Sequence, residues 1–411
     1  MKRMLALVVL MCMAAGCGLA EELDLYATPE PGATRAPSVS DALPELSEAP
    51  LLEAPPMNLN CAAALLLEPE SGQILFEMNA DSPRAVASVT KVMTILLTLE
   101  AIEQGRISVD QTLVVSEKAS GMGGSQVLLD TGEVQTVEIL LKSMIVGSAN
   151  DASVALAELM YGSQELCVDQ MNARAAELGM AHTHFVNCTG LPAEGQHTTA
   201  RDVARMTMAM LRHELYFRYS GVWLDEVDHG DGRVTQLTNT NKLIRLYDGC
   251  DGGKTGSTDE AGYCIAATAR RGDMRLIAVV LGGSSGKKRF ACAEKMFDHG
   301  FANYRLLTAA ERGTRVRGEM PVTGGSLDSV PLALDGDLTL LMNKAEAAEI
   351  ELKPNLPPSV AAPVAAGDEI GSVDILLNGR TIARIPVAAA GSVARQGFPD
   401  AWRRLWEGWM F

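Results

Sequence analysis

The sequence predicts an α/β sandwich, its antiparallel sheet built from both ends of one domain around a helical block, followed by a small all-β domain. Three observations carry this. Two apolar runs, residues 62–67 and 73–77, flank the turn sequence Glu68-Pro69-Glu70-Ser71-Gly72 and read as a β-hairpin. A long helical stretch follows, and only then do strand-like runs return at 252–257, 263–269 and 276–281, closed by a helix at 289–301. From about Gly313 the texture changes to short alternating runs (315–317, 338–342, 350–352, 373–377 and 381–387) punctuated by Gly, Pro and Asp.

Taken in order, the 411 residues open with a leader. Lys2 and Arg3 precede an apolar core at 5–15, too short to span a membrane as a mature helix, and small residues follow, so residues 1–20 read as a secretory signal peptide. Cleavage after Gly18-Leu19-Ala20 fits a small-x-small site. Ala14-Ala15-Gly16-Cys17 resembles a lipoprotein processing site but lacks the usual leucine three before the cysteine.

Residues 21–57 carry seven of the 18 prolines and no sustained apolar periodicity. Such a segment buries too little surface to offset its ordering entropy and is expected to be an acidic tether. The first folded domain is expected over 58–308 and the small all-β domain over 309–396. In the closing stretch, 397–411, Trp402, Leu405, Trp406, Trp409 and Met410 recur at helical spacing opposite Arg403, Arg404 and Glu407. Either the helix docks on the β domain, or its tryptophans seat it in a lipid headgroup layer.

Composition narrows the function classes. The chain is 47% hydrophobic and 21% charged, ordinary for a globular protein. A net charge of −16 argues against nucleic-acid binding, which needs a basic face. Of eight cysteines, Cys12 and Cys17 lie in the leader. The other six (Cys61, Cys167, Cys188, Cys250, Cys264, Cys292) form no Cys-x-x-Cys pair and do not read as a metal site. Buried thiols, or one or two bridges, fit them equally.

The chemistry is expected at Ala87-Ser88-Val89-Thr90-Lys91. On a helix, Ser88 and Lys91 share one face. A serine hydroxyl needs a base beside it, and a lysine serves once burial or a neighbouring cation lowers its pKa; here burial and Lys254 are both expected to act on Lys91. Ser284-Ser285-Gly286-Lys287-Lys288 matches Ser-x-x-Lys twice more, but in a Gly-rich loop after a strand-like run. Ser148-Ala149-Asn150 lies on a short link between two helices, and Lys254-Thr255-Gly256-Ser257 lies on an edge strand. Each motif alone also suits a cap, a turn or a strand end. Thr199 reads as a helix cap with Asp202 three residues on, and His197 beside it reads as structural.

All three motifs, in this order, resemble the signature of penicillin-binding proteins and serine β-lactamases. From about Asn58 to Gly397 the chain resembles the low-molecular-mass penicillin-binding proteins, the serine-type D-alanyl-D-alanine carboxypeptidases. Ser148-Ala149-Asn150-Asp151-Ala152 and Thr199-Ala200-Arg201-Asp202 also look like blocks of that family. Cys188, in a loop that is usually polar or proline-bearing, and the long tether depart from it.

The resemblance implies a β-lactamase/transpeptidase-like fold and a peptidoglycan stem peptide ending in D-Ala-D-Ala as substrate, with β-lactams as inhibitors and no metal or cofactor. It implies Ser88 as nucleophile, Lys91 as general base, Ser148 as proton relay and Asn150 as a positioning residue. Lys254 and Thr255, with Gly256, would hold the terminal carboxylate, and the backbone N–H groups of Ser88 and Ser257 would meet the oxyanion. It also implies export to the outer face of the cytoplasmic membrane, held there peripherally by the C-terminal helix. The rival readings are a penicillin sensor without turnover, a transpeptidase, and a β-lactamase. The Glu-x-x-Leu-Asn segment of class A β-lactamases is absent from the sequence.

Overall fold

The computed structural model describes residues 9–10, 43–44, 46–47, 57–344, 349–377, 379–398 and 402. The chain forms two compact units, Ser40–Ala302 and a second made of Met1–Val39 with Asn303–Phe411. Their elements run from β1 (Val9–Leu10) through β2 (Ala63–Glu68) and β3 (Gln73–Met78) to a 3-10 turn, Ala87–Thr90, and α1 (Lys91–Glu103). The helical block continues with β4 (Thr112–Val114), α2 (Glu117–Ser120), β5 (Val134–Thr136), α3 (Val137–Val146), α4 (Asn150–Tyr161), α5 (Gln164–Glu177), α6 (Ala200–Met210) and α7 (Glu214–Ser220). Next come β6 (Leu224–Asp228), β7 (Val234–Thr238), α8 (Leu243–Leu246), β8 (Cys250–Thr258), β9 (Gly262–Arg271), β10 (Met274–Gly283) and α9 (Gly286–Asn303).

In the first unit a five-stranded sheet has the order β3-β2-β10-β9-β8, antiparallel throughout. The early hairpin joins the late strands in the register Leu67↔Ile277 to Ala63↔Leu281, which is the sheet built from both ends that the sequence predicts. All of β2 is buried, so its leucines form a continuous apolar run instead of alternating. Each buried leucine contributes about 1.5–3 kcal/mol. The Glu68 carboxylate closes the hairpin turn by accepting from Glu70 N, Ser71 N and Ser71 Oγ.

Helix α1 is buried on nearly every side, from Lys91 to Leu99. A helix enclosed this way needs partners for its hydroxyls. Thr94 Oγ1 donates to Cys188 O and Thr98 Oγ1 to Thr94 O. Thr199 caps α6 by accepting from Asp202 N, as its position in the sequence suggests. His197 bonds Gly195 O through Nδ1 and its backbone pairs with His184, a structural role.

The second unit holds β11 (Tyr304–Ala310), β12 (Arg315–Thr323), β13 (Ser329–Leu334), β14 (Leu338–Asn343), β15 (Glu349–Asn355), β16 (Val360–Ala361), β17 (Glu369–Leu377) and β18 (Arg380–Ala389). Its larger sheet has the order β1-β15-β17-β18-β13-β12-β16, and β11 pairs with β14. All five expected strands are present. Among the described residues, no helix is long and apolar enough to cross a membrane. The leader lies outside the described residues except for β1, as does the C-terminal helix except for Phe398 and Trp402, whose rings stack at 6.2 Å. Of the tether, Leu43 and Leu46 pack against the core, and Ser47 bonds Gly72 O and Ile74 N.

Candidate active site

Ser88 sits in the 3-10 turn that leads into α1, one residue after Ala87, whose φ of 49° is left-handed. That conformation is sparsely populated for a residue with a Cβ and costs on the order of 1–3 kcal/mol. Gly190 makes room for it, since a Cβ there would lie 1.9 Å from Ala87 O. Lys91 is fully buried, and its Nζ lies 3.0 Å from Ser88 Oγ, 2.6 Å from Asn150 Oδ1 and 2.6 Å from Thr189 O. Both carbonyl oxygens can only accept. A neutral lysine has two N–H donors and one lone pair, so the carbonyls take the donors and the lone pair is left facing the Ser88 hydroxyl.

Burial pushes the Lys91 pKa down to about 7, opposed by Cys188 and Asp151. The Asp151 carboxylate accepts from Val127 N, Leu129 N and Ala152 N, which fixes the start of α4. Lys254 is also fully buried, and its pKa is held well below the usual lysine value. Burial is the main cause, and the charges of Lys91 and Arg289 add to it. At Lys91 burial acts as the sequence expectation had it, while Lys254, expected to act beside it, is not among the causes.

The remaining motif residues converge on this pair. Ser148, in a left-handed conformation (φ 63°), accepts from Lys254 Nζ at 2.7 Å. Lys254 Nζ also donates to Thr255 O at 2.9 Å. Asn150, expected on the link, is the first residue of α4, and its Nδ2 donates to Gly123 O at 2.6 Å. Gly256 lies hard against the Ser88 turn, where a Cβ would stand 2.5 Å from Val86 O and 2.8 Å from Ser88 N. Ser257 follows, exposed on the edge strand β8. The rival serines serve the structure: Ser284 Oγ bonds Asn60 Oδ1, and Ser285 Oγ accepts from Lys288 N at the start of α9.

Three participants escape the motif reading. Thr189 O comes from a turn in which Asn187 Oδ1 accepts from Thr189 N, Thr189 Oγ1 and Gly190 N. The Asn-x-x-Gly spacing could have flagged that turn. Gly123 O lies in Gly121-Met122-Gly123-Gly124, a breaker run inside an otherwise helical stretch. Arg289 of α9 donates through Nη1 to Gly256 O at 3.0 Å and Cys264 O at 3.3 Å. No local signal marks it.

A serine paired with a buried lysine, a second buried lysine on an edge strand and a serine between them define an active-site-serine acyl-transfer enzyme of the penicillin-binding class. Residues 50–285 match the D-alanyl-D-alanine carboxypeptidase family, and residues 304–395 match the C-terminal domain of penicillin-binding protein 5. The D-alanyl-D-alanine carboxypeptidase DacF of Bacillus subtilis (strain 168) is 38% identical over 352 residues, 84% of this chain and 89% of that protein. The crystal structure of penicillin-binding protein 5 from Haemophilus influenzae superposes with a TM-score of 0.75 at 30% identity, covering 83% of this chain and 100% of the other. Penicillin-binding protein D2 from Listeria monocytogenes, in its cefotaxime-bound form, gives a TM-score of 0.55 at 32% identity over 60% of this chain and 100% of its own. The chain belongs to the D-alanyl-D-alanine carboxypeptidase family, the low-molecular-mass penicillin-binding proteins, and is a serine-type hydrolase with the transpeptidase-like fold.

Proposed function

We propose that Ser88 removes the terminal D-Ala from peptidoglycan stem peptides through an acyl-enzyme. The observation that carries this is Lys91 Nζ held 3.0 Å from Ser88 Oγ, with Asn150 Oδ1 and Thr189 O as its other two partners. Lys254 and Thr255 take the terminal carboxylate, whose negative charge favours the protonated form of Lys254. Ser88 Oγ attacks the penultimate D-Ala carbonyl as Lys91 Nζ takes its proton. The oxyanion is met by the N–H groups of Ser88 and Ser257. The departing amine is protonated through Ser148, which Lys254 Nζ contacts, and a water activated by Lys91 then hydrolyses the ester.

Ser88→Ala should abolish both D-Ala release from a D-Ala-D-Ala peptide and covalent labelling by a fluorescent penicillin. Ser284→Ala and Ser285→Ala should keep both. Labelling that persists in Ser88→Ala would overturn the assignment. Labelling of the parent without D-Ala release would make the protein a penicillin sensor.

The leader supports export, and the C-terminal stripe of Trp402, Trp406 and Trp409 supports peripheral attachment to the outer face of the cytoplasmic membrane.

A further inference from the structure

We propose that Cys61 and Cys292 are the two halves of a disulfide that staples the entry of β2 to helix α9. Cys61 lies in the irregular stretch just before β2, and the backbone on both sides of it is tied down. Ala62 N donates to Leu281 O at 2.9 Å, and Asn60 Oδ1 accepts from Ser284 Oγ at 2.6 Å in the loop that opens α9. Cys292 projects from α9 on its buried face, with Phe290, Ala293 and Met296. The two thiols are side-chain hydrogen-bond partners, and the backbone of Asn60 also bonds the Cys292 thiol.

The other four cysteines of the folded chain are engaged elsewhere. Cys188 bonds Gln164 Oε1, Cys250 bonds Gly252 O and Cys264 bonds Ala261 O, while Cys167 is fully buried on α5. Cys61 is only half-buried, so an external disulfide can reach it. A disulfide needs an S–S length of about 2.05 Å, and the non-repetitive stretch before β2 can adjust to supply it. The hydrogen bond from Cys61 also holds the Cys292 thiol down to about 7, which favours the thiolate that attacks a disulfide.

The step balances against an external disulfide, either oxidised glutathione or a thiol–disulfide oxidoreductase. One S–S bond forms between Cys61 and Cys292, two protons go to solvent, and two electrons reduce the external disulfide to its two thiols. That the chain meets such an oxidant rests on the export reading above, but the bond itself does not.

The staple closes nearly the whole first unit into one covalent loop, the arrangement in which a cross-link restrains the unfolded chain most. It also fixes α9 one turn beyond Arg289, whose guanidinium holds Gly256 O. The bridge therefore stiffens the support behind the edge strand without touching the reacting atoms.

The test uses the full chain, reduced and then equilibrated with oxidised glutathione. It is alkylated under denaturing conditions and digested without reductant for mass spectrometry. A peptide pair joined through Cys61 and Cys292, lost on reduction, is expected, with Cys167, Cys188, Cys250 and Cys264 alkylated. The oxidised protein should melt several degrees above the reduced one, and Cys61→Ala/Cys292→Ala should melt like the reduced parent whether or not oxidant is present. Free alkylation of Cys61 and Cys292 after oxidation, a Cys167–Cys188 pair in their place, or an oxidant-driven rise in the double variant would each overturn the proposal. Penicillin labelling followed in parallel separates the two readings, since a chain that labels at Ser88 and forms no bridge overturns this proposal alone.

Discussion

In the proposed mechanism Lys91 acts through what surrounds it. With a pKa of about 7, it is protonated at acid pH and cannot take the Ser88 proton, so acylation should climb as pH rises through 7 and level off above. The second-order rate constant for penicillin labelling, measured across pH, checks the limb. Lys91→Arg should lose on the order of 10²–10⁴ in that rate, because a guanidinium stays charged. Lys254→Gln should weaken acylation yet leave the free-enzyme limb in place, since burial and not Lys254 lowers the Lys91 pKa. A limb that moved in Lys254→Gln would mean that Lys254 does act on the Lys91 pKa.

Strand β8 must press its Gly256 onto the Ser88 turn for the two halves of the site to meet. Gly256→Ala puts a methyl against two backbone atoms, Val86 O at 2.5 Å and Ser88 N at 2.8 Å, so the strand or the turn has to give way. Labelling should fall by about 10²-fold or more, the usual effect of misplacing catalytic groups by an ångström, with about 1–3 kcal/mol lost in a thermal melt. Labelling at the parent rate would mean that this contact is not what positions the turn. The elements around this contact were legible because their signals are local: an alternating or continuous apolar run, a cap, a motif of four residues. Other features were not. Strand β13 carries Pro331 amid Ser329-Val330-Leu332 and lacks the expected look of a paired strand. Strand β11 adjoins the end of α9 and blends with its periodicity. The Thr189 carbonyl that fixes Lys91 comes from a loop 98 positions away, and a backbone oxygen leaves no trace in residue type.

At the scale of the whole chain, the tail and the order of the strands matter most. Deleting residues 399–411 should release the enzyme from anionic liposomes, measured by flotation, while D-Ala release from a soluble peptide stays unchanged. The proposed attachment, a single amphipathic segment with Arg403 and Arg404 toward anionic lipid, would be marginal and reversible. Retention of the truncated chain would shift the anchor to lipidation at Cys17. The sheet itself imposes a schedule. Strand β2 has to wait for β10, its partner in the register Leu67↔Ile277, and at ~5–20 residues per second the ribosome needs on the order of ten to forty seconds to make the chain between them. Through that interval Ser88 exists without Lys254, and the leucines of β2 stay uncovered. The chain is therefore born with an apolar strand uncovered, and the proposed site is assembled only once the last strands have caught up with the first.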